Sequence, residues 1–251
     1  MLGIRNLYKV FNETRRAARA QASLAVVGDS ARAAEVAALL GAQRGSKGAH
    51  VILEVSETGA AISGKAVEDP GEISLPASTN GSAMIDGLTH RIVRALDEDY
   101  LVPLAKGYPP LRKAACEEII RHNARQNAVV GALPIPGADM PVMTANQARM
   151  VLKLAAAYGE ELSMDRAREL IGVLAAGFGL RALSRQVVKL VPIGGWAAAA
   201  AIGYAGTLAM GRSTMLYFER GGQKVGADEM EGIKERAAEE ARAFVSRFRR
   251  R

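Results

Sequence analysis

One short pattern, present twice, limits what this chain can fold into. Val129-Val130-x-x-Leu133-Pro134-Ile135-x-Gly137 recurs as Val187-Val188-x-x-Val191-Pro192-Ile193-x-Gly195, and each copy sits between long runs of helical character. Proline lacks an amide hydrogen and clashes with the preceding turn, so it ends or kinks a helix. Glycine then supplies the backbone freedom for a reversal. The expectation is two helical hairpins with Pro-Ile-x-Gly elbows, whose structural residues are Pro134, Pro136 and Gly137 in the first copy and Pro192, Gly194 and Gly195 in the second.

The helices that meet at these elbows are small-sided. The 251 residues include 46 Ala and 26 Gly but only 5% aromatics. Long helical stretches are expected over Pro109–Leu133, Ala138–Tyr158, Ser163–Val191 and Gly195–Phe218. Ala199, Gly203, Thr207 and Gly211 repeat every four residues, a face suited to close helix–helix contact. A last helix starts near Asp228, with Met230, Ile233, Ala237, Ala241, Phe244 and Phe248 on one apolar stripe. Its acidic start and arginine end complement the helix dipole. The stripe packs on the bundle or, alternatively, meets a partner chain.

Upstream the pattern changes. Residues 23–97 read as a small α/β, Rossmann-like domain. Strands are expected at Ser23–Val27, His50–Val55 and, weakly, Glu72–Leu75, with helices at Ala31–Leu40 and Met84–Leu96. Gly59, Gly64, Pro70 and Gly71 mark a loop-rich middle. The fold class is therefore mainly α: an amphipathic helix over 1–22, the α/β layer over 23–97, a helical domain over 98–220, and a C-terminal amphipathic helix with a basic tail over 227–251. The first of these, with Leu2, Leu7, Val10 and Phe11 on one face, either docks on the protein or lies on a membrane surface.

Catalytic chemistry has little to work with. The single cysteine, Cys116, and three histidines exclude a disulfide and a thiolate-rich metal site. Glu118 and His122 share a helix face, but two ligands do not make a metal site. Asp97-Glu98-Asp99 reads as a surface cluster. From Gly28 the sequence runs GDSARAAE, which puts Ala33, Ala34 and Glu35 where a P-loop needs Gly, Lys and Ser/Thr. No Asn-Lys-x-Asp signature is present. No cofactor, no metal and no enzymatic activity are expected. The one polar constellation of interest is Asp139, Asn146 and Gln147, beside the first elbow, read either as partners for backbone groups freed at the break or as a polar pocket.

The chain carries a formal charge of +7, with Arg15, Arg16 and Arg19 near one end and Arg247, Arg249, Arg250 and Arg251 at the other. Such ends suit an anionic membrane surface; nucleic acid is disfavoured, since aromatic interleaving and a recognisable motif are missing. Met1–Ala20 lacks a signal-peptide pattern. Leu190–Gly211 runs 22 residues without a charge, long enough to span a bilayer, yet 12 of them are Ala or Gly. It is read either as a spanning segment or as the core helix of a soluble bundle. Asp139 argues against independent insertion of the first elbow region.

The run Gly131-Ala-Leu-Pro-Ile-Pro-Gly-Ala-Asp-Met140, followed by Gln147-Ala-Arg-Met150 and Tyr158-Gly159, resembles the bacterial YcjF-like family of unknown function. Val191-Pro-Ile-Gly194, Thr207, Gly211 and Tyr217-Phe218 match its second half. The resemblance covers about residues 105–220 and implies a helical module, often associated with GTPase domains and often found at the inner membrane. It implies no catalytic residue. The resulting expectation is a non-enzymatic, membrane-associated interaction or scaffold module at the cytoplasmic face of the inner membrane, working with a GTPase or another copy of itself. The alternative is a soluble, cytoplasmic, nucleotide-responsive regulator with a degenerate GTPase-like N-terminal domain.

Overall fold

The computed structural model describes residues 11–12, 14–15, 19–75, 81–132, 139–161 and 195–248. The fold is mainly helical: a small five-stranded layer precedes a helical bundle, with seven helices among the described residues. Contacts cluster into two compact units. One holds Arg15–Glu118 and Ala156–Gly159; the other holds Met1–Thr14, Ile119–Ala155 and Glu160–Arg251.

In the first unit, short apolar runs build the sheet. β1 (Leu24–Val27) and β3 (Val51–Val55) pair in parallel, Leu24 opposite Val51. Helix α1 (Ala31–Leu40) follows β1. Its buried residues Ala33, Val36, Ala37 and Leu40 fall at helical spacing, Ser30 caps it by accepting from the Ala33 amide, and Gly41 closes it at φ 65°. The chain then returns as β2 (Gln43–Arg44), parallel to β1. The full order is β2-β1-β3-β4-β5, with β4 (Gly59–Ser63) and β5 (Gly71–Ser74) added antiparallel to β3.

Strand β4 corrects the expectation of a loop through Gly59 and Gly64. The sequence Gly-Ala-Ala-Ile-Ser has little β-propensity, yet it alternates: Ala60 and Ile62 are buried while Gly59, Ala61 and Ser63 are half-exposed. Pairing against the strongly apolar β3 overrides the weak local preference. Gly64 does mark a turn. At φ 122° it lies so near β3 that a Cβ would sit 2.4 Å from the His50 carbonyl oxygen.

Three helices complete this unit's secondary structure. α2 spans Gly81–Ala95, and α3 spans Glu98–Gly107. The acidic cluster has a structural use here: Asp97 caps α3 by accepting from the Asp99 amide, and Glu98 and Asp99 occupy its first turn. α4 (Pro109–Ala132) begins in this unit, and just before it Tyr108 accepts the Leu24 amide at 2.7 Å.

The second unit is a bundle of α4 from Ile119 onward, α5 (Asp139–Ala157), α6 (Trp196–Glu219) and α7 (Ala227–Phe248). The small-residue face of α6 lies on α4. A Cβ on Gly131 would sit 2.9 Å from the Ala199 carbonyl oxygen, one on Gly203 would sit 2.6 Å from that of Asn127, and one on Gly211 would sit 2.6 Å from Ile120 Cγ1. Numbers fall on α4 as they rise on α6, so the helices run antiparallel. α7 returns along α6: Tyr204 stacks on Phe244 with ring centroids 4.4 Å apart, and Arg212 pairs with Glu240 at 2.7 Å. Ile233, Ala237 and Ala241 of the expected stripe are buried, together with Ala238 and Val245. Phe11 is also buried. Among the described residues no helix is long and apolar enough to cross a membrane. Of the uncharged Leu190–Gly211 window, residues 190–194 lie outside the described residues, as do the helix expected over Ser163–Val191 and five elbow residues of the two copies, Pro134, Pro136, Gly137, Pro192 and Gly194. Gly195 is described, at φ 78°, immediately before α6.

Two measurements check this packing. Gly203→Ala forces a methyl group into backbone and is expected to destabilise the bundle by about 1–3 kcal/mol in urea unfolding. Gly232→Ala, on α7 with its nearest foreign atom 3.8 Å away, is expected to stabilise it by about 0.5–1 kcal/mol. In the sheet unit, the Ser23 amide donates to Nδ1 of His50, and burial, then Lys65, holds this histidine below its usual 6.5. As pH falls through that value the unfolded chain takes up the proton first. The contribution is therefore present above 6.5 and lost on the acid side, and His50→Gln should flatten the acid slope of thermal stability.

Candidate functional site

Helix α4 carries two polar residues on its buried stripe. Ile119, Ile120, Ala124 and Ala128 fall at helical spacing, and Asn123 and Asn127 fall in the same register, each about 99% or more buried. Asn123 returns its amide to the Ile119 carbonyl of its own helix. Asn127 bonds outward. Its Nδ2 donates to Thr207 Oγ1 on α6 at 2.8 Å, and its Oδ1 accepts from Asn146 Nδ2 on α5 at 3.0 Å.

The chain of bonds continues in both directions. The Thr207 hydroxyl donates to the Gly203 carbonyl at 2.8 Å, and Arg149 donates to Asn146 Oδ1 at 3.3 Å. A half-buried guanidinium, two carboxamides, a hydroxyl and a backbone carbonyl thus form one directed series across three helices. The three inner members, Asn146, Asn127 and Thr207, each donate and accept, the guanidinium only donates and the carbonyl only accepts, so the buried groups are partnered. Its one hydroxyl, that of Thr207, is buried and committed to the Gly203 carbonyl, and the bonds of the series tie α4, α5 and α6 together.

Of the residues singled out in the sequence, Asn146 belongs to this series, bonded to Asn127 and Arg149. Gln147 is its half-buried neighbour on α5. Asp139 begins α5, but its side chain lies outside the described residues. Asn127 escaped the sequence reading; the available signal was a carboxamide at a position where helical spacing demands an apolar residue. Thr207 was recognised only as a small residue in the α6 stripe.

A second feature lies at one end of the same unit. Val129 near the end of α4, Val142 near the start of α5 and Trp196 at the start of α6 are 63%, 47% and 64% exposed. These are the exposed large apolar side chains among the described residues. The antiparallel pairings, Asn127 with Asn146 and Gly131 with Ala199, bring all three to the elbow end of the bundle.

The sheet unit has an open cavity of about 620 Å³ at the carboxyl ends of β1 and β3, lined by Gly28, Glu54, Ser56, Thr58 and Glu72 among others. This is where a doubly wound sheet with order 2-1-3 receives a ligand. The turn into α1 is only Gly28–Ser30, Ser30 is committed to capping, and Arg44 donates to the Gly28 carbonyl. Two carboxylates and no basic side chain line it among the described residues, so it lacks a phosphate cradle. His122 contacts Gln126 at 2.8 Å, Cys116 is buried, and no group of three metal-ligating side chains occurs among the described residues.

Comparison with known proteins bears on the helical region. Residues 108–243 match the family described as "Domain of unknown function (DUF697)". The chain belongs to this family. The DUF697 match includes all of α4, α5 and α6 and most of α7, hence both the polar series and the apolar end. "Magnetosome membrane protein 22" of Magnetospirillum gryphiswaldense is 27% identical over 151 residues, covering 56% of this chain and 77% of that protein. No solved structure matches.

The polar series makes an asymmetric prediction. Asn127→Ala strands Thr207 and Asn146 and should cost about 1–3 kcal/mol. Asn146 lies nearer the surface, where water replaces the lost partner, so Asn146→Ala should cost less than Asn127→Ala in the same denaturation assay.

Proposed function

We propose that this protein is a non-enzymatic, membrane-associated interaction module whose elbow end contacts lipid. The observation that carries this reading is that Val129, Val142 and Trp196, the exposed large apolar side chains among the described residues, all stand at one end of the bundle. An exposed apolar cluster of this kind on a soluble unit favours contact with a partner or a membrane. Tryptophan is suited to the membrane interface, because its ring has an apolar body and an N–H that stays wet.

Further support comes from the likeness to a magnetosome membrane protein and from the resemblance of the elbow motifs to the YcjF-like family. In this reading the module sits at the cytoplasmic face of the inner membrane and has a GTPase among its partners. In this reading the helices act as a scaffold, and the α/β layer is free to serve as a docking domain.

Contact is shallow and reversible. Burying three such side chains yields roughly 4–6 kcal/mol at most, a dissociation constant from about a millimolar down to tens of micromolar. Vesicle flotation tests it. The full chain should float with phospholipid vesicles, and the triple variant Val129→Ser, Val142→Ser, Trp196→Ser should remain at the bottom while keeping its helical circular dichroism. A triple variant that floats as well as the parent, or a parent that never floats, would contradict the reading.

A further inference from the structure

The helix pairings fix heights along the bundle, and those heights separate apolar from cationic side chains. Tyr204 of α6 lies beside Phe244 of α7. On α4 its level falls near Arg125, given the contact of Asn127 with Gly203. From this level Val129 stands about 6 Å nearer the elbow end, Val142 about 9 Å and Trp196 about 12 Å, at a rise of about 1.5 Å per residue. Arg247 of α7, exposed, stands about 4–5 Å nearer that end than Phe244 by the same rise. Arg125 is exposed one turn behind Val129 on the same face of α4.

The three apolar side chains therefore stand about 6–12 Å towards the elbow end, where Asp139 also begins α5, and the guanidinium groups of Arg125 and Arg247 stand within about 5 Å of the Tyr204 level, behind them. Three more arginines, Arg249, Arg250 and Arg251, follow Phe248 in sequence.

We infer that Arg125 and Arg247 form a cationic collar that selects bilayers with anionic phospholipid headgroups when the apolar tip is seated. The inference rests on the membrane reading above and adds the lipid class. An interfacial element sinks its apolar part about 5–10 Å into the boundary between headgroups and acyl chains, which brings side chains one or two turns behind the tip to the depth of the phosphates. A guanidinium matches a phosphodiester with paired donors, and each basic residue near an anionic surface adds several-fold to partitioning. The weak apolar contact alone is marginal, so the second, electrostatic signal decides which membranes hold the protein.

The test compares flotation of the full chain with vesicles of pure phosphatidylcholine and of equal parts phosphatidylcholine and phosphatidylglycerol, at low and high salt. The parent should prefer the anionic vesicles, and salt should remove the preference. Arg125→Gln with Arg247→Gln should weaken binding to the anionic vesicles by on the order of twenty-fold, about five-fold per arginine, and leave binding to the neutral ones unchanged. Arg236→Gln, exposed on α7 about 16 Å behind Arg247 and so beyond a Debye length, should bind like the parent. Equal binding to both vesicles, or a double variant that behaves like the parent or like Arg236→Gln, overturns the collar and leaves the apolar tip standing. Failure of the parent on both vesicles overturns both.

Discussion

At Gly203 the backbone of α6 comes so near the Asn127 carbonyl that a methyl group has no room. The same close approach recurs at Gly131 towards one end of the contact and at Gly211 towards the other. This antiparallel seam is what the rest of the helical unit depends on. It allows Asn127 to reach Thr207, and through the paired helices it determines which residues stand at the elbow end. A bundle of larger side chains would hold α4 and α6 farther apart and lose the hydrogen bond that crosses between them.

The buried series from Arg149 to the Gly203 carbonyl complements the seam. Small residues pack closely but specify register poorly, because Ala and Gly interlock with little shape. A directed set of hydrogen bonds is satisfied in one register and broken in the next. Dispersion and backbone proximity hold the helices together here, and carboxamides and a hydroxyl determine how they align. Placing the polar groups inside also leaves the apolar residues at the elbow end free for contact with something other than this chain.

Much of this architecture was readable from residue spacing. The helices α4 to α7 follow long periodic runs, and the stripe Ala199, Gly203, Thr207, Gly211 foretold a close contact before any partner helix was known. β1, α1 and β3 likewise follow apolar runs with clear punctuation. Strand β4 did not, because Gly59–Ser63 has strand alternation only in residues small enough to pass for a loop; its identity comes from pairing with β3. The site was half legible. Asn146 stands out as a polar residue near an elbow, but its partner is Asn127, nineteen residues away, a pairing that local sequence does not encode. The exposure of Val129, Val142 and Trp196 was also hidden, since apolar residues on a helix look alike until their neighbours are known.

Trp196 is the chain's single tryptophan, so its fluorescence reports on the elbow end alone. Emission of the full chain should shift to the blue when phospholipid vesicles are added, and lipids brominated on the acyl chain near the headgroup should quench it more than lipids brominated near the chain terminus. Emission that stays at its aqueous position, unquenched by either lipid, would contradict the claim that this end of the bundle meets the membrane.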